Sequence, residues 1–299
     1  MMYKKFLLSF AILLCWACSQ IASGPEMEDN RYQKNSLPKS SSSISKSSTS
    51  KSDVSSSSKA LRSSSSDGFD WSLPKTAYLN PDIEYSEMTD KRDGKKYKTV
   101  KIGEQTWMAE NLNYADSNLT PSIKGKNWCI DNDEAKCEIT GRFYTWAAAI
   151  DSIALANDKD NPRTCGHGVT CDLSNDTIRG ICPEGWHVPS YREWMDLHDA
   201  VGGENIAGKK LKSKKGWPGI HTGTDDYGFS AIPTGFPLID ENAKGKGQGE
   251  RTFIFSTEEW GGENNNYIHN EAFVIEDDDG SLASNAKWGA SSVRCIKDM

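Results

Sequence analysis

Beyond its first fourteen residues the 299-residue chain carries no long apolar run, so nothing after the N-terminus is long enough to span a bilayer as a helix. Basic residues are not in excess either. The 42 Asp and Glu against 35 Lys and Arg leave a net charge of −7 and a pI near 5.4, which argues against a nucleic-acid partner, since phosphates demand a basic face. Past Cys18 the cysteines include no C-x-x-C pair, and the one nearby histidine, His167, sits between Cys165 and Cys171, so zinc has little to bind. H-E-x-x-H, a Ser–His–Asp set and a phosphate-cradling glycine motif are also missing. The chain offers no catalytic constellation and no motif for a cofactor.

What is present begins with an export signal over residues 1–17. Lys4 and Lys5 precede Phe6–Leu14, an apolar run too short to cross a bilayer. It ends in Leu14–Ser19, which resembles a bacterial lipoprotein cleavage box with Cys18 as the lipidated residue, although Cys15 and Trp16 are unusual in it. The competing reading is an ordinary secretory signal with Cys18 a spare thiol. By the same resemblance, Ser19 after the cysteine points to the outer membrane or cell surface, reached through an N-terminal lipid. Residues 18–68 follow as a tether, nearly all Ser with scattered Lys from Ser36 to Ser66, too poor in apolar side chains to fold. Its about fifty residues give a coil spanning roughly 40 Å. Residues 69–85 form an extended lead-in, and a mean hydropathy of −0.65 fits a soluble body carrying such a tail. Ten Trp exceed the needs of a core, so some are expected at the surface.

Of eight cysteines, six remain after Cys15 and Cys18, and an oxidising compartment makes three disulfides the default. Among the many pairings six cysteines allow, spacing favours Cys129–Cys137 and Cys165–Cys171 as local loops and Cys182–Cys295 as a long closure. That closure is worth roughly 4–5 kcal/mol in the chain-entropy model.

Along the domain, Asp93-Gly94 and Gly103-Glu104 mark turns around Tyr97–Ile102, which alternates as a strand, and Gln105–Met108 returns beside it. Trp107 and Met108 read as core. Trp128–Cys137 is an acidic loop whose Asp131 and Asp133 are weak calcium candidates, lacking the spacing and glycine of an EF-hand. Gly141–Ala154 sets Trp146, Ile150 and Ile153 at helical spacing behind Thr145 as N-cap. Cys182–Asp199 holds the best local signals: Ser190 and Glu193 form a capping box, Trp194, Leu197 and Val201 share one face, and Gly202-Gly203 stops the helix. His187 and His198 have structural readings there, as an entry-turn residue and a neighbour of the apolar face. Beyond Lys209 come short strands and Gly- and Asn-rich loops, and Ala272–Glu276 is expected to pair with Ser292–Ile296 or a neighbour.

Six blocks, YKTVKIGEQTWMAENLNY, GRFYTWAAAID, CPEGWHVPSYREW, GTDDYGFSAIPTGF, FSTEE and SSVRCIKD, make residues 86–298 resemble the Fibrobacter succinogenes major paralogous domain, a family of exported bacterial proteins. Phe253–Glu258 departs from it, since the family usually has Trp before this run. The family is in turn similar to the C-type-lectin-like superfamily. The resemblance implies an α+β fold with two main helices, a small twisted antiparallel sheet, long loops, three disulfides and a final strand beside the first.

The reading that follows is a non-catalytic surface module binding polysaccharide or another extracellular polymer. Trp217, Tyr227, Trp260 and Tyr267 are its candidate platforms, and Asp225, Asp226, Asn264 and Asn266 its candidate partners for hydroxyls or Ca²⁺, all on loops held by a rigid scaffold. The E-P-N, Q-P-D and W-N-D signatures of calcium-dependent lectins are absent. The alternatives are an envelope component whose partner is another protein, and an oxidase similar to formylglycine-generating enzymes, which would need free thiols.

Overall fold

The two turn signals around Tyr97–Ile102 set the start of the fold. In the computed structural model, which describes residues 69–299 apart from 238–244, 247–248, 261–268 and 277, they join β1 (Ser86–Thr89), β2 (Lys96–Ile102) and β3 (Gln105–Met108) into an antiparallel meander. The signal, Cys18 and the tether lie outside the described residues. The chain continues through β4 (Asn127–Trp128), α1 (Glu134–Thr140), β5 (Phe143–Thr145), α2 (Trp146–Ala149), α3 (Ser152–Ala156), β6 (Trp186–His187), α4 (Tyr191–Val201) and α5 (Glu204–Leu211). Then follow β7 (Phe236–Pro237), β8 (Gly245–Lys246), β9 (Arg251–Trp260), β10 (His269–Glu276), β11 (Asp279–Ala286), β12 (Ala290–Ser292) and β13 (Ile296–Lys297). No helix among the described residues is long and apolar enough to cross a membrane.

The fold is α+β, and its sheets are larger than expected. One has five strands in the order β1-β2-β3-β13-β6, a second six in the order β11-β10-β9-β12-β5-β4, and β7 pairs with β8. Pairing is antiparallel except where β12 runs parallel to β9. The final strand β13 sits between β3 and β6 rather than beside the first strand, and β10 pairs with β9 and β11 rather than with the chain end. All three disulfides form as the spacing favoured: Cys129–Cys137, Cys165–Cys171 and Cys182–Cys295.

Three apolar clusters fill the interior, and β2 feeds the two larger ones. Its first half buries Tyr97 with Met108, Trp146, Cys182 and Cys295, and its second half buries Val100 and Ile102 with Trp107, Trp194 and Phe273. The capping box of α4 is formed as read, and Gly202 closes the helix with φ 105°, a left-handed conformation that glycine adopts without penalty. Trp194, Leu197 and Val201 are fully buried, with the Trp194 ring stacked 4.5 Å from that of Phe273. Among the described tryptophan rings most are therefore core, Trp71 and Trp128 are half-buried, and Trp288, 49 % exposed, is the surface exception.

Three expectations change. The helix over Gly141–Ala154 breaks into α2 and α3 because Asp151 turns left-handed, φ 53°, and bonds the Ser122 hydroxyl at 2.5 Å, so Ile153 points to solvent at 43 % exposure. The two principal helices are instead α4 and α5. Helix α5, unread in the sequence, docks on β11 so closely that a Cβ on Gly208 would lie 2.1 Å from the Asp279 carbonyl oxygen. Lastly, the lead-in is not a free extension. Tyr78 and Asn80 are buried, Phe69 stacks on Tyr78 at 4.5 Å, and the Asn80 amide donates to the Asp225 carbonyl at 2.7 Å. These contacts strap residues 69–85 across the loop around Asp225.

His187 joins α4 to the chain end. Its Nε2 meets Glu193 Oε1 and its Nδ1 meets Asp298 Oδ1, each at 2.7 Å. Burial opposes the imidazolium, but these two carboxylates outweigh it and hold the His187 pKa above its ordinary value. A raised folded value makes the contribution fully present below the unfolded pKa of about 6.5 and lost as pH rises through the folded value. His187→Gln should therefore cost more stability near pH 6 than near pH 9, read as the gap in urea midpoints between variant and parent. Cys182→Ser should lower unfolding free energy by roughly 4–5 kcal/mol in the same measurement, because the loop it opens is long.

Candidate functional site

The Gly-rich loop that follows α5 was the expected platform, and its apolar residues have folded inward. Trp217 is 3 % exposed and donates its indole N–H to the Ala231 carbonyl at 2.9 Å, so its ring is core and offers no face to a ligand. Asp225 is fully buried, accepting from the Ser230 N–H at 2.8 Å and hydroxyl at 2.6 Å. Burial pushes its pKa up to about 6 against the Ser230 bonds and the nearby Arg294 charge. Neither residue can meet a ligand at the surface, because the loop closes over Trp107, Trp194 and Phe229. Asp226 is exposed and Tyr227 half-buried beneath the Lys210 ammonium. Trp260 ends β9 with only its backbone described, and Asn264, Asn266 and Tyr267 lie outside the described residues.

The calcium candidates are also spoken for. Asp131 pairs with Lys136, and Asp133 caps α1 by accepting from the Ala135 N–H at 2.9 Å. The one gathering of metal-type side chains among the described residues, Cys129, Glu134 and Cys137, consists of a disulfide and a carboxylate paired with Arg142. The histidines keep their structural roles: His198, 3 % exposed, packs on the Phe273 ring, and burial lowers its pKa.

A site that the sequence did not announce lies on the other side of the meander. Between the lead-in, the β1–β2 turn and α1 opens a cleft of about 380 Å³ lined by Lys75, Lys95, Lys96, Tyr97, Lys98, Glu110, Asn113 and Glu138, among others. Its size is at the small end of ligand pockets. Lys95 Nζ donates to the Asn113 carbonyl at 2.7 Å, and the Asn113 amide donates to Glu138 Oε1 at 2.9 Å. The Asn113 N–H reaches the buried Tyr97 hydroxyl at 3.0 Å. Lys75 Nζ, carried by the lead-in, donates to the Lys96 carbonyl at 3.0 Å and lies 3.0 Å from Glu110 Oε1, close enough for charge attraction but without the alignment of a hydrogen bond. The other Glu110 oxygen accepts from the Lys98 N–H. Glu87 holds Lys96 at 2.9 Å and Lys98 at 3.2 Å, and these ammonium groups lower its pKa. Asn113 is 5 % exposed, yet its side-chain oxygen has no hydrogen-bond partner, and neither has Glu110 Oε1.

Sequence reading missed this cleft because its parts are ordinary one by one. Lys95–Lys98 reads as a solvated strand edge, and the Glu110, Asn111 and Asn113 cluster reads as a loop. Only the return of the lead-in and the docking of α1 make them a wall. A second hollow of about 510 Å³ lies beside Glu104, Asp196 and the chain end, but its inner groups Glu193 and Asp298 are already committed to His187.

Residues 100–297 match the family model of the Fibrobacter succinogenes major domain. The chain belongs to this family. No curated protein and no solved structure matches it. The family match begins inside β2, so Glu110, Asn113 and Glu138 fall within the matched stretch, while Lys75, Lys95, Lys96 and Lys98 precede it.

Behind the loop, Arg294 occupies the centre of the family domain. It is 1 % exposed, with Nε donating to Asn111 Oδ1 at 2.8 Å, Nη2 to the Ser230 carbonyl at 3.2 Å, Nη1 to the Phe229 carbonyl, and its guanidinium 4.4 Å from the Phe229 ring centre. Desolvation lowers its pKa to about 10, with Asp225 opposing. Arg294→Met should cost about 3–5 kcal/mol by leaving Asp225 without its countercharge. In a double-mutant cycle read by urea unfolding, Arg294→Met with Asp225→Asn should cost less than the sum of the single changes.

Proposed function

We propose that the chain is an exported, lipid-anchored surface protein whose domain is a non-catalytic binding module for an extracellular polymer, with polysaccharide as the ligand class. The observation that carries this reading is the cleft on the β1–β2 meander. It is lined by cationic and carboxylate side chains, Lys75, Lys95, Lys96, Glu87, Glu110 and Glu138, carried by the lead-in, the meander and its flanking loops, and α1. Polar side chains gathered in a cleft against β2, with no catalytic arrangement among them, suit recognition more than turnover.

The fold supports the same reading at a coarser level. We take it as a C-type-lectin-like arrangement, in which the chain end returns beside the N-terminal meander and a long disulfide closes the domain. The lipid anchor and Ser-rich tether expected over residues 1–68 would hold such a module clear of the membrane it is attached to. The oxidase reading loses its thiols, since the six cysteines between Cys129 and Cys295 are paired with one another.

The test is retention of the full mature chain on insoluble cellulose and on a glycan array, with and without calcium. Retention above that of an unrelated lipoprotein is expected in both conditions. No retention on any polysaccharide, together with crosslinking to a single envelope protein in intact cells, would replace this reading with a protein-interaction role.

A further inference from the structure

Resting on the reading that the domain binds polysaccharide, we infer a second contact point, outside the cleft, at the turn between β11 and β12. There the Trp288 indole is a platform on which a pyranose ring of a neutral polysaccharide stacks.

The two residues at the tip of this turn exchange the usual places. Lys287 is buried, with none of its side chain accessible, whereas Trp288 is 49 % exposed. Among residues whose side chains are described, no aromatic ring is more exposed. Both placements run against solvation, since the ammonium loses water and the indole stays in contact with it. A local reversal of the inside–outside pattern points to a functional demand. The apolar area of the ring leaves water only when something covers it.

The ring is held out by its neighbours. Lys287 Nζ donates to the Val169 carbonyl at 2.8 Å and the Gly166 carbonyl at 3.3 Å, meets Glu259, and lies 4.4 Å from the Trp146 ring centre. Glu259 in turn accepts from the Cys171 N–H at 2.7 Å, so the Cys165–Cys171 loop and the Trp288 turn are tied to one buried ion pair. The Gly289 N–H closes the turn on the Ala286 carbonyl at 2.7 Å, and the Asn285 amide donates to the Ser291 hydroxyl at 3.0 Å. A platform fixed in this way loses little freedom when a ligand arrives.

Composition selects the ligand. Val169, 37 % exposed, is the second apolar side chain at this place, and beside it His167, Thr170, Ser284 and part of Asn285 face water. The one ammonium or carboxylate in the segments 166–170 and 284–289, that of Lys287, is buried against Glu259. A protein interface needs a broad core of apolar side chains, which one indole and one valine do not supply. A pyranose with equatorial hydroxyls needs less. Its C–H groups form a flat apolar face that meets the π-cloud, and its rim hydroxyls both donate and accept. Indole, hydroxyl and amide groups without a free charge therefore suit a neutral sugar, held by a contact that salt does not screen.

Calorimetric titration of the full mature chain with cellohexaose, mannohexaose and xylohexaose tests the inference, in the parent, in Trp288→Ala and in Trp288→Phe. At least one hexasaccharide should bind the parent, with the same affinity at low and high salt. Trp288→Ala should weaken that ligand by about tenfold or more, the scale of a central aromatic contact, with the thermal midpoint unchanged because the ring faces solvent. Trp288→Phe returns a flat ring and should restore most of the affinity.

Unchanged affinity in a folded Trp288→Ala, no recovery in Trp288→Phe, or binding that falls with salt would overturn the inference while leaving the binding-module reading and its cleft in place. Failure of every saccharide to bind would remove both, and loss of an envelope-protein crosslink in Trp288→Ala would then assign the turn to a protein partner.

Discussion

The structure depends on one stretch, Val293–Cys295, where the chain leaves the six-stranded sheet after β12 and enters the five-stranded sheet at β13. Three residues make that crossing, and each is fixed differently. Val293 accepts at its carbonyl from the Leu112 N–H at 2.8 Å, Arg294 spreads its guanidinium over Asn111, Phe229 and Ser230, and Cys295 is bonded to Cys182. A guanidinium with 1 % exposure is costly to place, and hydrogen bonds to carbonyl oxygens and a countercharge offset that cost only while all are present. The crossing therefore ties the positions of the meander, the loop around Asp225 and the entry to α4 to one another.

Helix α4 shows how local and distant demands meet in the same side chain. Glu193 completes the capping box by accepting from the Ser190 N–H at 2.8 Å, and its other oxygen holds His187. His187 then reaches Asp298, beyond the last strand. A residue chosen by the helix start thus also anchors the chain end, and this accounts for a histidine and two carboxylates gathered there. The apolar side of α4 is equally committed, with Trp194 between Trp107 and Phe273.

Signals confined to a few neighbouring residues were legible in the sequence: the turns at Gly94 and Gly103, the Ser190 cap, the Thr145 cap, and disulfides whose short loops leave few rivals. The break at Asp151 was not, because helical spacing of Trp146, Ile150 and Ile153 gives no warning that Ser122, far back in the chain, will take the Asp151 carboxylate. The burial of Trp217 and Asp225 was hidden for a related reason. A Gly-rich, polar loop reads as exposed until the strap of residues 69–85 is known to cover it, with Asn80 and Tyr85 bonded to Asp225 and Ser230. The cleft combines both difficulties, since Lys75 and Glu110 meet across a sheet edge that neither segment encodes alone.

The same strap forms one wall of the cleft. Glu110 and Asn113 stand within the family-matched stretch, on chain that the Val293–Cys295 crossing holds in place, and their geometry is set by the core. The lysines come from the edge of the meander and from the lead-in, and Lys75 in particular is placed by Tyr78, whose ring is packed under Phe69 and whose hydroxyl donates to the Asp70 carbonyl at 2.5 Å. An inner wall of fixed shape facing a wall on a separate segment lets charge at the mouth change without disturbing the core. Replacing Lys75 alters the cleft by one cation, whereas replacing Arg294 alters the frame on which its inner wall stands. The charged groups at the mouth of the cleft, Lys75, Lys95, Lys96 and Glu138, are thus not the groups that hold the two sheets together.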